Sequence, residues 1–215
     1  MGRTLWSAVA AIALAAVLNT TVSATTSKPA WLTLARAQLP TLHVEATASM
    51  IGYDRVKRFG PPWKDVDGNG CDTRDDILKR DMTKLEFEGA DTCHVQSGRL
   101  HDPYTGKFIN FVRGSKTSLA VQIDHVVALA DAWRTGAQKW TQNRRVAYAN
   151  DPDVLLAVDG PSNNAKGDDD ASQWLPPRKA YDCRYVARQI AVKKKYTLWV
   201  TPTERDAMAN QLAGC

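Results

Sequence analysis

The chain has 215 residues, 44% hydrophobic and 24% charged, with a formal net charge of +5. That balance excludes disordered and fibrous classes and leaves room for one globular domain of roughly 150–190 residues. A basic surplus suits a polyanion such as nucleic acid without requiring one.

In chain order, residues 1–24 read as a signal peptide. Arg3 supplies the positive start, and residues 5–18 are apolar apart from Ser7. These 14 positions are too few to span a hydrocarbon core of about 30 Å. Val22-Ser23-Ala24 offers the small residues that precede a cleavage point. The mature protein is then expected to be secreted, to carry no membrane segment and to be a monomer. Residues 25–50, rich in Ala, Thr and Ser, read as a linker with a short helix over 30–37, stopped by Pro40.

The main domain is expected over 51–215. It opens on Tyr53, Phe59, Gly60, Pro61, Pro62 and Trp63. Asp65, Asp67, Asn69, Gly70 and Asp76 then fit the spacing of a calcium loop, with Asp where Glu is usual at the last position. Cys71 replaces the usual apolar residue and the two prolines remove the preceding helix, so a Gly-rich turn is the plainer reading. A helix follows over 73–82, with Thr73 as N-cap and Asp75 and Asp76 in its first turn. Strands are expected over 94–100, 108–112 and 119–123, with a hairpin turn at 102–106. Beyond them come helices over 127–139, weakened by Gly136, and 142–149, and a strand over 154–158. A helix-starting turn is read at 160–163, then helices over 181–196 and 203–212, the last with Thr203 as N-cap and Asp206 completing a capping box. The fold class is α+β, with most helices in the second half.

Cys71, Cys93, Cys183 and Cys215 are an even set, which in an exported chain suggests two disulfides. Three pairings exist. Cys71–Cys93 and Cys183–Cys215 are favoured because each closes a local loop. Zinc is disfavoured, since no C-x-x-C pair occurs.

Cutting a phosphodiester needs a base for the attacking water and a hard cation for the negative charge that builds at phosphorus. Asp124-His125, at the end of an expected strand, supplies a carboxylate and an imidazole. Neighbouring strand residues point to opposite faces, so a twist or bulge is expected to bring both into one site. Asn163 adds an amide oxygen, and Lys166, one helical turn on, offers a cation for a phosphate. Alone, an Asp-His pair is usually a surface or satisfied-core feature.

Gln122-Ile123-Asp124-His125-Val126-Val127, then Leu155-Leu156-Ala157-Val158, then Asn163-Asn164-Ala165-Lys166-Gly167-Asp168 resemble the HNH (ββα-metal) endonucleases. The closer likeness is to exported bacterial HNH proteins that share a domain with the C-terminal part of GmrSD-type restriction enzymes. Gly70-Cys71-Asp72-Thr73-Arg74, Tyr148-Ala149-Asn150-Asp151 and Trp174-Leu175-Pro176-Pro177 extend it over residues 53–212. The resemblance implies a metal-dependent nuclease with His125 as general base. Asp124 and Asn163 would hold one divalent ion, Mg or Mn, with Asn164 the off-by-one alternative and calcium the alternative metal. DNA is the expected substrate, RNA the second, with little sequence preference. Val154 stands where such proteins carry a middle Asn that braces the histidine loop, with Asn150 or Asp153 as substitutes.

Arg74, Lys79, Arg80, Arg144, Arg145, Arg184, Arg188 and Lys193 to Lys195 form a candidate track for a nucleic-acid backbone. Arg74 is the first choice for a phosphate near the site, and the lysine run reads more plainly as a solvated helix face. Trp133, Trp140, Trp174 and Trp199 read as core, and His43, His94 and His101 as structural or surface residues. The missing middle Asn keeps a second function open, an exported, disulfide-held binding module with a degenerate nuclease core. A third is another metal-dependent hydrolase using the same Asp-His pair.

Overall fold

A computed structural model describes residues 1–2, 28–90 and 92–215. Past its first two residues, the expected signal peptide lies outside the described residues. Among these, no helix is long and apolar enough to cross a membrane. They form eight α-helices and two small antiparallel sheets.

Helix α1 (Ala30–Gln38) buries Leu32 and Ala35 against the C-terminal helices α7 (Asp182–Tyr196) and α8 (Pro202–Ala213). The short α2 (Arg55–Phe59) is capped by Asp54, whose carboxylate accepts from the Lys57 amide at 2.9 Å. In α3 (Thr73–Asp81) the N-cap is Asp72 rather than Thr73. The Asp72 carboxylate accepts from the Asp75 amide at 2.8 Å, while the Thr73 hydroxyl turns inward to the Lys64 carbonyl.

The first sheet has the order β1-β2-β3, from β1 (Met82–Phe87), β2 (Val95–His101) and β3 (Phe108–Val112). The sequence reading missed β1 and gave Met82 to the helix. Lys84 and Glu86 are poor strand formers, so pairing to β2 decides this segment. The second sheet pairs β4 (Val121–His125) with β5 (Leu155–Asp159). A 3₁₀ turn over Thr117–Ala120 moves the start of β4 past the expected 119.

Helices α4 (Leu129–Arg134) and α5 (Gln142–Ala149) fill the connection from β4 to β5. The helix expected over 127–139 breaks after Arg134, because Gly136 takes φ +137° and packs against the Trp199 ring. Helix α6 (Gly160–Lys166) follows β5 at once. Its N-cap Asp159 accepts from the Ser162 amide at 2.9 Å. A Cβ on Gly160 would lie 2.0 Å from the Leu119 carbonyl oxygen, so only glycine permits this junction. β4, β5 and α6 thus form a β-β-α unit with two helices inserted.

Strand alternation sorts this unit between two cores. Val121, Ile123, Leu155 and Ala157 pack with α3 and the first sheet, and Leu156 and Val158 pack with α1, α7 and α8. A third cluster gathers Phe59, Trp133, Tyr148 and Val154. The α8 capping box uses Thr201 and Glu204, with Pro202 at the first helical position, rather than Thr203 and Asp206.

Cys71 pairs with Cys93 and Cys183 with Cys215, the pairing favoured above, with Cα–Cα distances of 5.0 and 6.1 Å. Their sequence separations are 22 and 32. Such loops restrict the unfolded chain by about 3–4 kcal/mol each in the chain-entropy model.

Candidate active site

A cavity of about 660 Å³ opens at the end of β4. Asp124, His125, Asn163 and Asn164 all border it, as do Arg55, Trp63 and Arg74. Of the twist or bulge expected at Asp124 and His125, the bulge is absent, because the β4–β5 register runs unbroken from Val121↔Asp159 to His125↔Leu155. The strand ends at His125, so side chains from its two faces meet the same space.

His125 is buried, with its ring stacked on Trp63 at 5.9 Å between centroids and 13° between planes. Its Nε2 lies 2.9 Å from the Ala149 carbonyl oxygen. A carbonyl only accepts, so Nε2 carries the hydrogen and Nδ1 keeps its lone pair. Burial lowers the imidazole from 6.5 to about 3; the Ala149 bond opposes this, and the Arg55 and Lys166 charges add to it. The ring is therefore neutral at physiological pH.

Asp124 is also buried. Tyr104 donates its hydroxyl to Oδ2 at 2.5 Å, and Lys166 its ammonium to Oδ1 at 2.8 Å. Burial, then the Asp124 charge, push the Tyr104 phenol well above its usual range, so it remains a donor. Lys166 also donates to the His125 carbonyl at 2.9 Å and is itself buried. It was expected to hold a phosphate. Here it faces the carboxylate instead, because an unpaired ammonium in this core would cost far more than a paired one.

Asn163 is half-buried on α6, and its Nδ2 donates to Gln122 Oε1 at 2.8 Å; among the described residues its Oδ1 accepts no hydrogen bond. Asn164 is exposed. Arg74 donates to the Val121 carbonyl at 3.1 Å and lies over the Phe111 ring.

The model of the GmrSD restriction endonucleases' C-terminal domain matches residues 72–211, about two thirds of the sequence and every element from α3 into α8. The chain belongs to that family. It is also 37% identical over 183 residues to an uncharacterized secreted protein of Arthroderma benhamiae, covering 84% of each chain. That relative is fungal, so the likeness reaches beyond exported bacterial proteins. No solved structure matches. The two disulfides agree with the relative's secreted character and place this chain in an oxidising, extracellular compartment.

A GmrSD-type nuclease domain implies a divalent metal. Among the described residues no three His, Cys, Asp or Glu side chains are grouped to hold one. Asp124 and Asn163 both border the cavity, and a carboxylate with an amide oxygen is a donor set that suits a hard cation retaining several waters. The calcium-loop residues do not form such a set. Both oxygens of Asp65 accept backbone amides, from Gly68 at 2.7 Å and Gly70 at 3.0 Å, and these bonds lower its carboxyl below the usual range. Asp67 and Asp76 both take the Asn69 amide, and Asp76 pairs with Lys79 at 3.0 Å. This is the Gly-rich turn that sets Cys71.

Most of the expected basic track does structural work in this family member. Arg80 and Arg188 donate to the Pro152 and Leu155 carbonyls, and Arg145 to Arg58, Ala137 and Trp140. Arg144 reaches the Tyr196 carbonyl, and Arg184 covers Trp31. Lys193 is fully buried between Asp131 and Glu204, a correction to the solvated lysine face; Lys194 and Lys195 bond Thr41 and Asp153. Trp133 and Trp199 are buried, and Trp140 and Trp174 are packed against the cores. His43 is exposed beside Glu45 and His101 stacks on Phe108.

Of the site residues, the sequence reading missed Arg55, Trp63, Tyr104 and the Ala149 carbonyl. The sequence marks Tyr104 only as part of the hairpin turn at 102–106. The aromatic cluster that opens the domain was the one signal that could have flagged Trp63.

Proposed function

We propose that this protein is a secreted, metal-dependent nuclease that hydrolyses phosphodiester bonds of DNA or RNA, with His125 as general base. The supporting observation is the tautomer of His125: neutral, buried beside the cavity, with Nε2 fixed on Ala149 and Nδ1 unprotonated. Nδ1 takes a proton from the attacking water, and the ring, held between Trp63 and Ala149, does not rotate away. Asp124 and Asn163 are the residues that would hold the divalent ion. When bound, it would stabilise charge on the phosphate and the leaving oxygen. Arg74, which borders the cavity, favours the phosphate. Tyr104 and Lys166 fix the Asp124 carboxylate so that it needs no rearrangement.

The Lys166 ammonium partly neutralises Asp124, which favours a second reading, a nucleic-acid-binding module that does not cut. One assay separates the two. Purified protein is incubated with plasmid DNA and with structured RNA, in Mg²⁺ or Mn²⁺, with and without EDTA, beside His125→Ala. Cleavage that EDTA stops and that His125→Ala lowers by about 10²–10⁴-fold supports the nuclease. Intact substrate in every metal, or equal cutting by His125→Ala, overturns it.

A further inference from the structure

Met50, Tyr53, Arg55 and Trp63 border the main cavity, yet all precede residue 72, where the family match begins. One wall of the site is therefore built by a segment outside the matched domain. That segment is held firmly at its backbone. Asp54 caps α2, Arg58 Nε donates to the Gly52 carbonyl at 2.8 Å, and Tyr53 packs edge-on to Trp133 at 5.9 Å.

Arg55 is the exception within it. Its side chain is exposed at the cavity, and among the described residues no hydrogen bond or ion pair engages its guanidinium. Arg58, Arg74, Arg80, Arg144, Arg145 and Arg188 all donate to backbone carbonyls. The acids at this cavity are already matched, Asp124 by Lys166 at 2.8 Å and Asp168 by Arg134 at 3.1 Å. Arg55 and Arg74 thus leave the cavity with a positive excess, and only Arg55 combines a fixed backbone with a free fork of donors. That combination suits a phosphate, which a guanidinium can grip with two parallel bonds.

Resting on the nuclease reading above, we infer that Arg55 is a substrate-binding residue that grips a backbone phosphate of the nucleic acid. The segment before the family domain then supplies part of the substrate site.

The test measures binding apart from cleavage. His125→Ala protein in Mg²⁺ is titrated onto a fluorescein-labelled DNA duplex by anisotropy, at several salt concentrations. The same measurement is made with Arg55→Ala, Arg55→Glu and Arg55→Lys added, and with Lys57→Ala as an exposed-charge control on the same helix. Arg55→Ala is expected to bind about 3–10-fold more weakly in low salt, with the salt slope smaller by about 0.9, the loss of one phosphate contact. Arg55→Glu should lose more, Arg55→Lys less, and Lys57→Ala nothing. Thermal unfolding of Arg55→Ala should match its parent, since no protein partner is removed. Unchanged affinity and slope in Arg55→Ala and Arg55→Glu overturn the Arg55 assignment and leave the nuclease reading standing. A parent that binds neither this duplex nor a labelled structured RNA overturns both.

Discussion

On the proposed nuclease reading, kcat/KM measured from pH 4.5 to 8 tests the placement of His125 in the unliganded protein. An ordinary histidine, at 6.5, is only about 3% neutral at pH 5, so a general base of that kind would lose activity about 30-fold between pH 7.5 and 5. Burial places His125 at about 3 instead, which keeps roughly 99% of it neutral at pH 5. The expected profile is therefore flat, within about twofold, across that interval, in a metal held at saturating concentration. A phosphodiester does not titrate there, so the substrate adds no break. A break in kcat/KM near 6.5 that His125→Ala removes would refute the buried, Ala149-bound imidazole while leaving a histidine base in place.

Two further outcomes follow from buried charge. In the core between α4, α7 and α8, Asp131 and Glu204 share the single Lys193 ammonium. Burial chiefly raises Glu204 from 4.5 to about 7, and Lys193 opposes the shift. A carboxyl raised on folding contributes stability that is complete below pH 4.5 and is lost as pH rises through 7, here at most roughly 3 kcal/mol. Glu204→Gln, which keeps the capping box, should flatten that decline in urea unfolding between pH 4.5 and 8; an unchanged slope would count against the raised Glu204 carboxyl. Lys166→Met strips Asp124 of its counter-ion and should cost about 3–5 kcal/mol without metal. Mn²⁺ should then raise the melting temperature of Lys166→Met more than that of the parent; equal shifts would argue that Asp124 is not a ligand.

Much of the frame was legible because its signals are local. The apolar run 154–158 gave β5, buried on both faces, and Gly160-Pro161 gave the start of α6. Cysteine spacing gave both disulfides. What escaped depends on pairing between distant segments. β1 exists because β2 lies beside it, and Tyr104 matters because the β2–β3 turn folds back 20 residues short of Asp124. Lys166 shows the same limit in chemistry. Its spacing from Asn163 was correctly read as one helical turn, but whether its ammonium met a phosphate or a carboxylate depended on burial, which helical spacing does not encode. The basic residues were misread for a related reason. Composition counts charges, and here most guanidiniums donate to backbone carbonyls.

Those guanidiniums also bear on Val154, where the resemblance implied a bracing Asn. Val154 is wholly buried, and only its backbone joins the histidine loop: its carbonyl accepts from the Val126 amide at 2.9 Å, and its amide donates to Asp151 at 2.9 Å. Of the two substitutes considered, Asp153 is exposed and pairs with Lys195. Asn150 is buried, accepting from the Lys64 amide at 3.0 Å and donating to the Val146 carbonyl at 2.9 Å. It thereby fixes the residue next to Ala149 and the approach of the strand of chain that carries Trp63. Arg80 from α3 and Arg188 from α7 hold the far end through Pro152 and Leu155. The loop from 149 to 155 is thus fixed at both ends, and Lys195 ties its middle by pairing with Asp151 and Asp153. The Ala149 carbonyl, which sets the tautomer of His125, inherits that rigidity, and an apolar residue can occupy position 154 without loosening the His125 ring.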